Sequence, residues 1–504
     1  MKRFHLKVIA AFFGTLIAGL CVRGIAHAQE STINWKTVGS DEPQIEMMLP
    51  TSASGVQYLL EKVVVKGNRK TLRSVILRLL QIAPGDQFSA EDDSLEESRY
   101  RMLASGLFRE VSFELKKGKA RGYVILEIKV IERNTIVIND LSFGLTTISP
   151  KTDEIVPFGS IGVLERSFLG TDIKLGGTLA ASEQQSAYRI YLRDDHFLNS
   201  RFGIHVEGLF ADAEETFGKH YLWEEVEGDP EFGKFEVLDY RRAGIRLGTG
   251  YNLLTDYFFW CDFRFENILR EEPRAILGPD SRLTEEEPEV RLGYMEPDDS
   301  VLTSALFGFT RDTTNHPVLP SDGSNTQLSI ELSHPIIGSD YSYVKFLFNH
   351  LMLFPFGIKG QSIGVETIAG LITGSAPFFE QFFVGDYSAF APNRILGLNF
   401  SNLHPAILGT DIENMWYEDL VLSISAEWSR PLYRGSGNLY GLNLFVRFGA
   451  FALTSANYID GKKPPIDISG DFGLRLDTSV GVFTFTFTNV LQLIPPVRRE
   501  TTSE

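Results

Sequence analysis

From about residue 138 to the end of the chain, apolar and polar residues alternate with a period of two, and no helical pattern interrupts them. Segments such as Asp172 to Leu179, Tyr188 to Arg193, Phe202 to Leu209, Ala243 to Tyr251 and Phe258 to Phe265 are separated by turn or loop residues, and about fifteen can be counted. In the last of them Phe483, Phe485 and Phe487 alternate with Thr484, Thr486 and Thr488, which puts every Phe on one face of a pleated strand and every Thr on the other. Lipid outside and a wet lumen inside require that division. A soluble sandwich gives the same alternation in any one strand, so the argument rests on the long succession of strands. No apolar stretch beyond the first residues is long enough for a transmembrane helix. The 38 Phe and 45 Gly among 504 residues suit a barrel, which uses aromatic girdles and tight turns.

The start of the chain points to export. Lys2 and Arg3, an apolar run from Val8 to Val22 and the small-residue site Ala26-His27-Ala28 read as a cleavable signal peptide over residues 1–28. Cys21 lies inside it, and Leu20 before it is too large for a lipoprotein box. The mature chain would keep Cys261 alone, so no intramolecular disulfide and no cysteine metal site is available, and no cofactor is implied. A net charge of -17 argues against nucleic acid as a partner. Residues 29–56 carry no clear periodicity and read as a leader or linker.

A compact unit follows over residues 57–134. Leu59, Val63, Val64 and Val65 form a strand ending at Gly67-Asn68, and Leu72, Val75, Ile76, Leu79 and Leu80 follow at helical spacing. After a turn at Pro84-Gly85-Asp86, Ser89 and Asp92 form a capping box for a second helix through Leu95, Met102, Leu103 and Leu107. Two alternating strands close the unit, one through Val111, Phe113 and Leu115, the other through Val124, Leu126, Ile128 and Val130. With its βααββ order, the Val65-Lys66-Gly67-Asn68 opening, the Gly85-Asp86-Gln87-Phe88 turn and Gly106-Leu107-Phe108, the unit resembles a POTRA domain. The expected fold is mainly β: one α+β POTRA domain, then a transmembrane antiparallel barrel of about 16 strands over residues 135–504.

The barrel region carries Arg311-Asp312, then Leu319-Pro320-Ser321-Asp322-Gly323 before a strand from Gln327 to Leu332; it also carries Phe168-Leu169-Gly170 and Phe382-Phe383-Val384-Gly385-Asp386. In these features it resembles the BamA/TamA superfamily of outer-membrane protein insertases and transporters. The resemblance implies that the loop at about residues 375–417 folds into the lumen and docks there by an Arg at its tip. Here the tip reads Asn393-Arg394-Ile395-Leu396-Gly397-Leu398, so alignment on Gly397 puts Leu396 at the usual Arg position and leaves Arg394 as the nearby guanidinium. Strand parity turns Glu427 inwards, opposite Leu422, Ile424, Ala426 and Trp428, and turns Asn443 and Arg447 inwards in the next strand. Two readings follow: a Glu427–Arg447 pair with Arg394 competing for the carboxylate, or charges solvated by lumen water whose pairing is worth about 0 to 1 kcal/mol. Closure also has two readings. Either a strand hides in the acidic stretch between Arg270 and Ser300, or the Phe/Thr segment closes the barrel, in which case an odd-stranded wall pairs its first and last strands in parallel.

The implied function is assembly, insertion or translocation of client proteins at the bacterial outer membrane. The clients would be unfolded outer-membrane or secreted proteins engaged through POTRA and barrel edges; outer-membrane lipid and periplasmic or lipoprotein partners would also be met. The POTRA domain is expected in the periplasm. A dedicated secretion pore for one exported protein and a passive structural barrel are the alternatives. The absence of G-x-S-x-G and H-E-x-x-H sequences argues against an enzyme. One POTRA domain favours an accessory or specialised member of the family.

Overall fold

The computed structural model describes residues 57–494 except 81, 90–92, 150–151, 219–233, 255, 272–273, 278–298, 317, 384–393, 401–416, 436 and 455–465. The signal peptide, the leader, Asp92 of the capping box and Asn393 lie outside the described residues.

The first unit is built from β1 (Gln57–Lys66), α1 (Arg73–Leu79), β2 (Gln87–Ser89), α2 (Asp93–Ala104), β3 (Phe108–Lys117) and β4 (Tyr123–Glu132). Its sheet runs β2-β1-β4-β3, with β1 and β4 parallel at the centre and β2 and β3 antiparallel at the edges. The three residues of β2 are too short to show a period, which is why the sequence reads them as a turn. The inward residues Leu60, Ile76, Met102, Leu126 and Ile128 are fully buried in one core, each such side chain contributing about 1.5–3 kcal/mol.

No side chain caps the start of α1. The chain entering it is held instead by the Glu132 carboxylate, which accepts the backbone N–H groups of Arg69 (3.1 Å), Lys70 (3.0 Å) and Thr71 (2.7 Å). Burial alone would raise this carboxyl, but the three N–H groups outweigh it and hold it below its ordinary value. A lowered carboxylate pKa stabilises the fold fully above the unfolded value of about 4.3, and that contribution is lost as pH falls through the folded value. Glu132→Gln should therefore speed proteolysis at residues 67–72 severalfold at neutral pH and much less in acid. An equal rate in both proteins at pH 7 would dismiss the carboxylate's role.

The second unit is a barrel wall. Its strands are β5 (Ile136–Ser149), β6 (Thr152–Phe168), β7 (Ile173–Ala181), β8 (Ser186–Asp194), β9 (Phe202–Gly218), β10 (Lys234–Leu254), β11 (Tyr257–Arg270), β13 (Ser300–Asp312), β14 (Gly323–Ser333), β15 (Ser342–Pro355), β16 (Ser362–Ser375), β19 (Leu420–Arg434), β20 (Leu439–Thr454), β21 (Ile466–Thr478) and β22 (Val482–Ile494). Each pairs antiparallel with the next, so among the described residues fifteen strands follow one another round the wall. The short β12 (Arg274–Leu277) pairs only with β10 and does not enter the wall. Of the two closure readings, the Phe/Thr segment is thus the last wall strand, and the sixteen strands implied by the family resemblance are not reached among the described residues.

Alternation decides which face is which. In β11, Phe259, Cys261, Phe263, Phe265 and Leu269 are exposed on the outside, while Asp262, Arg264, Glu266 and Ile268 between them are buried inside. No described helix is long and apolar enough to cross a membrane. A nearly closed wall with an apolar exterior meets, everywhere but along the junction of β5 and β22, the requirement that backbone polar groups in lipid be paired within the protein.

The POTRA-like unit joins the barrel at one end, the near end. The Leu72 N–H donates to Gly170 O (3.0 Å), Arg78 pairs with Asp172 (3.0 Å), and the Arg166 N–H donates to Thr135 O (2.9 Å). Arg133 forms a buried ion pair with Asp477 and lies 4.6 Å over the Tyr440 ring. Asn134 Nδ2 donates to Ser479 O (3.1 Å).

Candidate functional site

Two features of the barrel have functional content: the seam between the first and last wall strands, and the filling of the lumen. At the seam, β5 and β22 share a single parallel bridge, Ile138 with Gly481, and the Ile138 N–H donates to Val480 O (2.7 Å). Among the described residues no ladder continues from it towards the far end. The outer face beside the seam is apolar, with Phe143 on β5 83% exposed and Phe485 and Phe487 on β22 60% and 64% exposed. Phe483 is half-buried at the near end of the same strand.

The described residues of the loop between β16 and β19 pack into the far half of the lumen. The loop begins with a turn of 3-10 helix over Phe378–Glu380, and its base is tied by a two-residue ladder between β17 (Phe382–Phe383) and β18 (Tyr417–Glu418). Phe378, Phe379, Phe382, Phe383, Leu398 and Phe400 are all buried, in one cluster with wall residues such as Tyr240, Tyr343, Val421 and Phe451. Tyr240 meets Phe378 edge-on at 5.4 Å and stacks on Phe379 at 6.0 Å, and Phe400 stacks on Phe158 at 5.7 Å. The near half keeps a cavity of about 390 Å³, lined among others by Arg193, His205, Arg246, Asp262, Gln327 and Asn349.

At the tip, Leu396 and Gly397 have φ of 54° and 81°, and Ile395 and Leu398 exchange both backbone hydrogen bonds, 2.9 and 3.0 Å. Two consecutive residues at positive φ make a tight hairpin turn, which explains the glycine and leaves Leu396 strained. The tip lies against the first half of the wall: Gln185 Nε2 donates to Asn399 O (2.9 Å) and Asn399 Nδ2 to Glu215 (3.4 Å).

This placement corrects the expected dock. Arg394 does not compete for Glu427: it donates to Phe379 O and Gln381 O, both at 3.1 Å, and lies 5.6 Å over the rings of Phe383 and Tyr417, bracing the loop against itself. Glu427 and Arg447 do face the lumen and are register partners on β19 and β20. They are not paired to each other. Glu427 takes the Arg475 guanidinium with both oxygens (3.1 and 3.2 Å), and Arg447 takes Glu366 (3.0 Å) and Ser425 (3.1 Å). The reason is geometric: Arg475 offers a two-pronged fit to the Glu427 carboxylate, which a guanidinium shares best through two parallel N–H groups.

The polar contacts that tie the loop to the wall are ones the sequence reading missed. Glu380 is buried, with Arg264 Nη1 at 2.9 Å and Arg242 Nη2 at 3.8 Å. Lys345 Nζ lies 3.3 Å from its carboxylate and 2.7 Å from its carbonyl oxygen. Arg242 also covers the Phe379 ring at 4.0 Å. The signal was present in the alternation, since Arg264 and Glu266 stand between outward Phe263 and Phe265.

The Arg311 to Gly323 motif forms the near-end connection of β13 and β14. Arg311 lies over Tyr257 (5.3 Å) with Asp256 at 3.8 Å, and Asp312 accepts the Thr314 N–H (2.9 Å) and hydroxyl (2.8 Å). Asn315 Oδ1 accepts the Ser321 N–H (3.0 Å), while Leu319 is buried against Gly441. Pro320 is half-buried in the same turn. Gly323 has φ 96°, and a Cβ there would sit 2.2 Å from Thr313 O. Gly323→Ala should cost roughly 1–3 kcal/mol, read as a lower midpoint of heat-induced barrel unfolding on gels. An unshifted midpoint would show that the turn relaxes freely.

A family model described as the Omp85 superfamily domain matches residues 159–492, well over half of the chain. The chain belongs to the Omp85 superfamily. A POTRA model, described as surface antigen variable number repeat, matches residues 58–133. Among curated proteins, the outer membrane protein assembly factor BamA of Nitratidesulfovibrio vulgaris is 24% identical over 385 residues, which are 74% of this chain and 42% of that protein. The chain therefore spans about two-fifths of the length of that relative. Among solved structures, CdiB from Escherichia coli superposes with a TM-score of 0.54 at 11% identity, covering 88% of this chain and 74% of that one. BamA from Haemophilus ducreyi lacking POTRA domains 1–3 gives 0.46 at 15% identity, covering 87% and 82%. The CdiB likeness is one of fold. As an Omp85 protein the chain is an outer-membrane β-barrel, grouped with assembly factors and transporters and not with enzymes.

Proposed function

We propose that this Omp85 protein assembles client proteins into the outer membrane, with its POTRA domain in the periplasm and the seam between β5 and β22 as the place where client strands are met. The observation that carries the reading is the seam itself, a junction of two wall strands with one bridge at the near end. Strand edges left without a ladder are templates for another strand, and in lipid each unpaired backbone group costs several kcal/mol, so a nascent strand gains by pairing there. The edge strand β3 of the POTRA sheet offers the same chemistry on the periplasmic side.

Export of one secreted protein through the lumen is the second reading. The loop aromatic cluster in the far half weighs against it, because that segment would have to leave before a chain could pass.

Paired cysteines between residues 139–146 of β5 and 482–487 of β22, in a Cys261→Ser background, test the assembly reading. A formed crosslink is expected to abolish client insertion, and reduction to restore it. Full insertion with the crosslink complete would remove the seam from the mechanism. In the depleted cell, selective loss of several outer-membrane barrels supports assembly, whereas loss of one secreted protein alone supports export.

A further inference from the structure

Arg242 of β10, Arg264 of β11 and Lys345 of β15 converge on one region of the lumen wall, and among the described residues two wall carboxylates meet them. Glu266 accepts from Arg242 Nε (3.0 Å) and Nη2 (2.7 Å), and Glu331 accepts from Arg264 Nη2 (2.6 Å) and the Tyr343 hydroxyl (2.8 Å). The third carboxylate, Glu380, comes from the loop and lies within reach of all three cations. Arg242, Arg264, Glu266, Glu331 and Glu380 are each less than 10% exposed, and Phe378, Phe379 and Phe382 close the space around them. Without Glu380, two buried guanidiniums and the part-buried Lys345 ammonium would face two anions among the described residues, and an uncompensated buried charge is strongly unfavourable.

We propose that Arg242, Arg264 and Lys345 form a carboxylate-binding seat whose resident ligand is Glu380, and that this seat, and not a guanidinium at the loop tip, holds the loop in the lumen. The polarity is opposite to the dock that the family resemblance implied: the anion sits on the loop and the cations on the wall. The inference does not depend on which clients the barrel serves. Because the seat recognises a carboxylate and not the loop sequence around it, it accepts a small free carboxylate once Glu380 is truncated.

The test uses the full-length protein with Cys261→Ser and with Gln185→Cys and Asn399→Cys, positions in contact across the docked loop (2.9 Å). The rate of disulfide formation between them reports seating. In Glu380→Ala the rate should fall roughly tenfold, and sodium acetate should restore most of it while sodium chloride at equal ionic strength does not. If the alanine variant fails to give a heat-modifiable barrel, Glu380→Gln, which keeps the shape and removes the charge, is measured in its place. Glu427→Gln should leave the rate within about twofold of the parent, and Arg394→Ala, which removes an internal brace of the loop and no cation of the seat, should lower it less than Glu380→Ala does. An undiminished rate in Glu380→Ala or Glu380→Gln overturns the proposal, as does equal rescue by chloride, or an Arg394→Ala loss as large as that of Glu380→Ala.

Discussion

Arg264→Ala should lower the stability of the barrel by about 3–5 kcal/mol, because it strips the shared cation from buried Glu331 and Glu380 while leaving both charges in place. The side chain also donates to the Ser304 hydroxyl (3.2 Å), so its removal takes a partner from one more buried polar group, while the Tyr343 hydroxyl keeps its bond to Glu331 (2.8 Å). Lysine is not expected to substitute well, since one ammonium cannot reproduce a planar fork that serves two carboxylates at once. The comparison is Arg241→Ala, whose side chain is exposed and 3.3 Å from Asp212; that change should cost only about 0–1 kcal/mol. Heat-induced unfolding on gels, with detergent and salt held fixed, measures both. If the two midpoints coincide, the lumen cluster is wetter and weaker than its burial implies.

Arg133→Ala is expected to have the second largest effect, and at a different place. Arg133 lies in the segment joining the POTRA domain to β5, while Asp477, 2% exposed, ends β21 beside the last wall strand. The pair therefore crosses the seam at the same end as the Ile138–Gly481 bridge. Truncation leaves a buried carboxylate, but Arg166 and Arg434 also act on it, so a loss of about 3 kcal/mol, the lower end of the range for a broken buried pair, is expected. The effect should appear at the seam, as faster reduction of a β5–β22 crosslink and higher ion conductance in planar bilayers. The exchanged pair, Arg133→Asp with Asp477→Arg, should recover part of the loss, which a merely steric role would not allow. Unchanged conductance and crosslink reduction in Arg133→Ala would detach the POTRA linker from seam stability.

Parity along single strands was legible in the sequence, since each decision uses only residues two apart. The inward placement of Ser423, Ser425, Glu427, Asn443 and Arg447 followed from it, and the structure has the same faces. Pairing was not legible. Parity says that Glu427 points inwards but not which inward charge meets it, and its partner Arg475 lies 48 residues away, two strands along. Arg447 in turn reaches Glu366 across β19. Choosing among several lumen charges requires the register of three strands at once. The loop was misjudged for a related reason: resemblance drew attention to the tip, whereas Glu380 lies in the irregular segment before it, where no strand parity marks a charge as inward. The POTRA unit was legible because its landmarks are local turns and helical spacings, apart from β2, whose three residues carry no period.

The wall of fifteen strands among the described residues resembles a ring of spins in which every neighbour wants the opposite orientation. A ring with an odd number of members cannot satisfy all its neighbours, so one contact must be of the wrong kind however the members are chosen. Here that contact is the parallel meeting of β5 and β22 at Ile138 and Gly481. Its position is set by strand count and direction, and no substitution within either strand can make it antiparallel. Side-chain changes can tighten or loosen the junction, but only a change in the number of strands around the ring removes the frustration.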